Sequence, residues 1–408
     1  MPPHILFLHH GDPEVILKCL EKSIESFELS VITEKIFVDL YPATVPVEVV
    51  ESVRDMSGVR KSALKVASRH PIDIILSPSE RCLQAGGYLR SFFALPGMGY
   101  EIANLFSNKA AMKVRMRESG IPIADFRVIQ SIEHVESAAY EMKWPLVVKP
   151  AVGQGCMDTH LLRNIRDFKN LLSSEDGKAL AENDSPIIAE RFMPMNSELH
   201  CDGIVQNGEI KFASVSEYLK PIMETSPDGL RGTYTLEKDE PLGILIKEMH
   251  EKTVKSLGLF NGVTHMEIFN TEEGLIVGEI SCRPPGAGVT DSMILKFGVN
   301  QWQACIDLAV NERKLLQIPQ QPENDDLIVN LWLPAALGKI KKISTDQDLM
   351  GVPGVIRVDM FARPGDVLDN VSWSSATTGR VFLRLRDRSQ LKDRCNQVSN
   401  IFDLEIEL

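Results

Sequence analysis

The chain has 408 residues, too many for one ordinary hydrophobic core, so two or three domains are expected. A formal net charge of −12 argues against nucleic acid or an anionic membrane as the main partner. No apolar run approaches a membrane span, the start lacks the basic region of a signal peptide, and the seven cysteines show no C-x-x-C spacing. Reduced thiols in a cytoplasmic protein are the expectation, with Cys156 and Cys282 as small space-fillers.

Residues 4–9 read as a short apolar strand, and His9-His10-Gly11-Asp12-Pro13 as the turn after it. A helix follows with Val15, Ile16, Cys19, Leu20, Ile24 and Phe27 on one side. Short strands are expected at 30–33 and 35–39, a helix at 59–68 and a buried strand at 72–76. Such alternation indicates a parallel sheet with helices on its faces. Ser77-Pro78-Ser79-Glu80 ends the last strand, and residues 81–93 and 109–119 are helical, the second capped by Ser107 or Asn108 and stopped by Gly120. Lys109 sits in the first turn of its helix, the wrong end of the dipole for a cation, which suits a residue held there to meet an anion.

Residues 144–150 form a buried strand with Lys149 near its end, followed at once by the glycine loop Gly153-Gln154-Gly155. A buried lysine needs a partner, and backbone N–H groups of such a loop can close over phosphate oxygens. The loop is no Walker A motif, since no G-K-[ST] ends it. Another strand at 187–192 runs into a proline-containing apolar linker flanked by Glu190 and Glu198, read as an adenine slot with Glu198 accepting from ribose hydroxyls. Strands at 199–205 and 209–216 are joined by Asn207-Gly208, a strong hairpin signal. The second half is therefore antiparallel. Residues 221–240, with Arg231, read as a long polar lid loop. A helix at 242–257, another at 301–310 and short strands from 327 to 408 complete the chain, among them a half-exposed basic strand at 338–343.

Between those helices lies the most informative stretch. Residues 263–270 and 275–281 are rich in strand formers, and Glu272-Glu273-Gly274 suits a three-residue hairpin loop with Gly274 in the left-handed position. Pairing Thr271 with Leu275 then sets Glu267 opposite Glu279, where like charges repel unless a cation sits between them. Magnesium fits, since it takes one or two carboxylates and completes its shell with water and phosphate oxygens. The plain alternative is a solvated hairpin. Arg283 follows, able to hold a carboxylate or acyl phosphate bidentately, and Pro284-Pro285-Gly286-Ala287-Gly288 forces a rigid turn.

Taken in order, D-I-I-L-S-P-S-E at 73, L-P-G-M-G at 95, N-K-A-A-M-K at 108, G-I-P at 120, P-L-V-V-K-P at 145 and the G-Q-G loop resemble the ATP-grasp superfamily. E-R-F-M-P-M-N-S-E at 190, T-H-M-E and E-I-S-C-R-P-P-G extend the resemblance over nearly the whole chain. It implies a mixed α/β and α+β fold: a Rossmann-like pre-ATP-grasp domain over 1–105, an ATP-grasp domain over 106–315 with lobes 106–190 and 191–315, and an α+β subdomain over 316–408. Carried over, Lys109 and Lys149 contact ATP phosphates beneath Gly153, Gln154 and Gly155. Arg191 and Met193 offer backbone to adenine, and Glu190 and Glu198 line the cleft. Glu267 and Glu279 ligate magnesium, or manganese, with Ser281 as a weak third ligand. Arg283 binds the substrate carboxylate, and Gly286, Arg231 and His265 are further candidate substrate contacts. Three departures stand out: Ser281 where the family usually has Asn, Asn108 for Asp, and Pro285 for a small residue.

Within the superfamily the metal-site segments are most similar to ligases that join two amino acids, the dipeptide-synthase and carnosine-synthase type. The implied reaction is attack of a carboxylate on the γ-phosphate of ATP, capture of the acyl phosphate by an amine, and release of ADP and phosphate. Small-molecule acid and amine are the expected partners, with a homodimer common among such enzymes. Two rival readings are a nucleotide-binding protein that has lost catalysis and a biotin-carboxylase-like enzyme, the latter disfavoured by Pro284-Pro285-Gly286-Ala287 where that class continues with a catalytic glutamate segment.

Overall fold

A computed structural model describes residues 2–153, 155–311, 314–319, 325–371 and 376–407. His4–Leu8, buried along its whole length, lies inside a parallel four-stranded sheet between Glu28–Glu34 and Ile74–Leu76, with Val47–Val50 at the far edge. The helices Glu14–Ser23, Met56–Ala67 and Glu80–Phe93 flank it, as the alternating pattern requires. One expected strand is absent. Lys35–Leu40 is a 3₁₀ helix with Ile36 and Leu40 exposed, and the third strand instead follows Pro46, whose carbonyl accepts from Val31 N–H. The apolar residues at 36–38 have no strand-facing layer to bury in, so alternation alone misled.

A second, antiparallel sheet is ordered Phe126–Ile129, Ile187–Arg191, Leu146–Pro150, His160–Leu162. The third and largest carries eight antiparallel strands: Gly274–Ser281, Gly262–Thr271, Ser197–Gln206, Glu209–Tyr218, Arg231–Thr235, Leu327–Trp332, Gly379–Leu385 and Val355–Met360. Residues expected to form a lid loop at 221–240 therefore include a central, fully buried strand. Arg-Gly-Thr-Tyr-Thr is rich in β-formers, a signal outweighed in the reading by the flanking Pro and Gly. Its pairing with Leu327–Trp332 makes one continuous sheet of segments on either side of position 316. The helix Gln301–Val310 reaches back to the first sheet's domain, where Gln303 donates to Cys19 O and Ser23 Oγ.

The glutamate hairpin keeps the expected pairing by a different route. Thr271 pairs with Gly274, so the turn is Glu272-Glu273, one residue tighter than expected, with Gly274 at φ +106°. Continued without a break, that register would put Glu279 on the opposite face from Glu267. A bulge at Gly278 inserts the missing residue and returns Glu267 opposite Glu279. Glycine suits the position, because a Cβ would stand 2.8 Å from the Phe269 ring and force that ring to move. Gly278→Val is expected to cost about 1–3 kcal/mol, seen as a lower urea midpoint with an unchanged slope. The hairpin's outer edge is covered: Val277 N–H donates to Pro122 O and Ile280 N–H to Met112 Sδ. That contact seats the helix Lys109–Glu118 directly against Glu279.

Candidate active site

The second sheet, the helix that starts at Lys109 and the eight-stranded sheet with its glutamate hairpin converge on one cavity of about 340 Å³. Lys109 opens its helix, capped by Asn108 Oδ1, which accepts from Ala110 and Ala111 N–H as an aspartate would. Its backbone N–H donates to Ala151 O, and its Nζ to Gly153 O at 2.7 Å, while Glu279 Oε2 lies 3.2 Å away. Lys149 Nζ stands 3.2 Å from Glu190 Oε1 on the neighbouring strand. Burial alone would raise the Glu279 carboxyl, but Lys109 and Lys149 outweigh it and hold it down to about 2. Glu279 is thus a fixed negative charge among cations. Glu198 is its opposite: burial and the Glu267 charge push it up to about 8, against a hydrogen bond at 2.7 Å from Ile222 N–H.

Part of the cavity wall is apolar, formed by Ala124, Val147, Phe192 and Met193, and Gly155 also borders the cavity. Arg191 also borders it, but its guanidinium grips Glu273 through two bonds of 2.7 Å and its N–H is donated to Asp125 O. Arg283 lines the cavity as well, and its Nε donates to Glu80 Oε2 at 2.8 Å, so a residue at the start of an N-terminal-domain helix aims the arginine. Beyond it the turn at 284–288 is clamped by Ala287 O, which accepts from Asn330 Nδ2 and Trp332 Nε1, both at 2.8 Å. Gly288 holds φ +79°, and a Cβ there would stand 2.8 Å from Arg380 Cδ. Gly286, Val289, Tyr218, Trp332 and His265 also border the cavity.

His265 is the visible tip of a buried chain. Its Nδ1 lies 2.7 Å from Asp202 Oδ1, His200 Nδ1 lies 2.6 Å from Asp202 Oδ2, and His200 Nε2 is 2.9 Å from Thr233 Oγ1. Thr233 Oγ1 also reaches Glu217 O, 3.0 Å away. A buried carboxylate, itself held by the fully buried His200 ring, therefore supports His265, whose Nε2 is 3.8 Å from Glu267. Burial would lower His265, but Asp202 prevails and lifts it to about 9.

Most of the residues singled out in the sequence thus border one cavity. Two do not. Ser281 sits opposite His265, buried, with its Oγ unpartnered among the described residues. Arg231 lies behind Trp332 and donates to Ala376 O. Gln154 falls outside the described residues. Lys113, Glu80 and the His200–Asp202 pair were missed, although each left a trace: Lys113 is four after Lys109 on one helix, Glu80 closes S-P-S-E, and His200 and Asp202 alternate onto one strand face.

The chain is similar to known proteins along most of its length. Residues 114–293 match the ATP-grasp domain model, and residues 331–407 the model of the L-amino acid ligase C-terminal domain 2. The L-arginine-specific L-amino acid ligase of Bacillus subtilis is 29% identical over 98% of this chain and 97% of its own length. Dapdiamide A synthase of Enterobacter agglomerans is 22% identical over 86% of this chain and 83% of its own. Among solved structures, an L-amino acid ligase from Bacillus licheniformis superposes with a TM-score of 0.75 at 17% identity, covering 100% of this chain and 99% of that one. Residues 114–293 are thus an ATP-grasp domain, and the fold of the whole chain is that of the solved L-amino acid ligase. The chain is an ATP-grasp enzyme that forms C–N bonds. Among the described residues, no helix is long and apolar enough to cross a membrane.

Proposed function

We propose that the cavity binds ATP and joins the carboxylate of an amino acid or small acid to the amine of an amino acid through an acyl phosphate, releasing ADP and phosphate. The observation that carries this is the convergence of Lys109 and Lys149 from one lobe with Glu267, Glu279 and Arg283 from the other. The base lies against Val147 and Met193, and the phosphates run past Lys149 and Lys109 beneath the Gly153–Gly155 loop. Two carboxylates facing one another across paired strands and opening into the cavity are a fitting donor set for a hard divalent cation, so Glu267 and Glu279 are assigned to magnesium, or manganese. When bound, such an ion neutralises phosphate charge during phosphoryl transfer.

Arg283, oriented by Glu80, holds the acid's carboxylate in line with the γ-phosphate, and the turn at 284–288 closes over the acyl phosphate to keep water away. The four glutamates bordering the cavity already face partners: Glu190 two lysines, Glu279 Lys109, Glu198 the Ile222 N–H and Glu267 His265. Tyr218, Val289 and Trp332 meanwhile offer apolar surface beyond Arg283. An acid with an apolar or aromatic side chain suits that end better than one with a guanidinium. A cytoplasmic enzyme, with a homodimer as its assembly, completes the reading.

Phosphate release from ATP and magnesium should be screened over pairs of amino acids and small acids, arginine included. Release that requires both partners, with a condensed product by mass, is expected. ADP binding without release for any pair would reduce the chain to a nucleotide-binding protein.

A further inference from the structure

Lys113 is fully buried, with no side-chain exposure, and it does not border the cavity. Burying an ammonium is expensive unless a carboxylate accompanies it, and its companion is Glu190 Oε2 at 3.3 Å. Glu190 is also buried, and its other oxygen faces Lys149 at 3.2 Å. Neither Lys113 Nζ nor Glu190 Oε1 makes a hydrogen bond of good geometry among the described residues, so the carboxylate is shared between two cations and captured by neither. The remaining charge facing Lys113 is Glu279, beyond Lys149. Stability alone does not call for this arrangement, because a buried pair needs no third charge and apolar side chains would pack a helix face as well.

We propose that Lys113 is a positioning residue for nucleotide binding: it shares the Glu190 carboxylate so that the Lys149 ammonium reaches the cavity with its charge uncancelled. This rests on the reading of Lys149 as a phosphate contact. Without Lys113, Glu190 and Lys149 form a closed neutral pair and the cavity loses one of its positive charges. With it, the trio carries a net positive charge whose exposed member is Lys149, 16% exposed at its side chain against 6% for Glu190 and 0% for Lys113. The helix Lys109–Glu118 thereby serves the phosphates twice, directly through Lys109 and, one turn on, through Lys113 and Glu190.

The test is a double-mutant cycle read by calorimetric titration with ADP. Lys113→Met is expected to weaken ADP binding about tenfold in the wild-type background and to change it little in a Glu190→Gln background, where no carboxylate competes for Lys149. A purely structural Lys113 would lower the melting temperature and leave ADP affinity alone. Equal effects of Lys113→Met in both backgrounds, or none in either, would overturn the inference. Should Lys113→Met not fold, the cycle is read with Lys113→Gln. Wild-type protein and Lys149→Met separate the two levels: binding that Lys149→Met weakens while the cycle shows no coupling overturns the role of Lys113 alone. Failure of the wild type to bind ADP overturns the reading of the cavity and Lys113 with it.

Discussion

Glu279→Gln is expected to lower ligation by roughly 10³-fold while leaving the fold intact. The substitution is nearly isosteric, and the hairpin that carries residue 279 is pinned by backbone bonds to Pro122 and by the bulge at Gly278, neither of which involves the carboxylate. What disappears is a charge. Held down to about 2 by Lys109 and Lys149, Glu279 is ionised at every working pH, and it balances Lys109 at 3.2 Å. Its loss leaves Glu267 as the sole carboxylate of the hairpin pair for a divalent cation and frees Lys109 to swing toward any phosphate. The two consequences have opposite signs. Turnover, measured as phosphate release with acid and amine present, should collapse, whereas ADP affinity in chelator should hold or rise because the cavity has become more positive. A variant that keeps turnover would remove Glu279 from the metal role, and one that loses ADP binding without metal would mean that the carboxylate shapes the nucleotide pocket itself.

The parts of this site legible in the sequence are those that depend on short spacing. Lys149 before a glycine loop, Lys109 at a helix start, and two glutamates on hairpin strands all declare themselves within a dozen residues, because period and turn chemistry are local. Even there the hairpin shows how a correct pairing can rest on an incomplete reason: a tighter turn and a bulge cancel, and a bulge is marked only by one glycine within a strand. Partners distant along the chain leave no such pattern. Glu80 and Arg283 are 203 residues apart, and nothing in either segment names the other. Lys113 looks like an ordinary surface lysine on its helix until the second sheet is laid against it. Pro227 and Gly229 before Arg231 are loop punctuation, yet the strand Arg231 begins sits mid-sheet, where tertiary pairing overrides local punctuation.

Replacing Asp202 by asparagine should produce the largest loss of stability of any polar substitution near the site, about 3–5 kcal/mol. Two imidazoles donate to its two oxygens and, although burial pushes the other way, hold the carboxyl well below the usual carboxylate range. Asparagine keeps the shape but carries an amide that must point N–H groups at one of those donors. It also strips the counter-charge from His265, which that carboxylate, against burial, lifts to about 9. Urea unfolding should show a lower midpoint with an unchanged slope, as the buried surface is the same. The double variant His200→Gln, Asp202→Asn should lose less than the sum of the two single losses, since both single variants break the same buried hydrogen bond. A loss below about 1 kcal/mol would show instead that His265 is neutral and the chain an ordinary set of hydrogen bonds. Ligation should fall with stability, because His265 loses the acceptor that fixes its ring, and its Nε2 is then no longer held 3.8 Å from Glu267. The buried histidine chain thus couples the centre of the large sheet to the carboxylate pair at its edge.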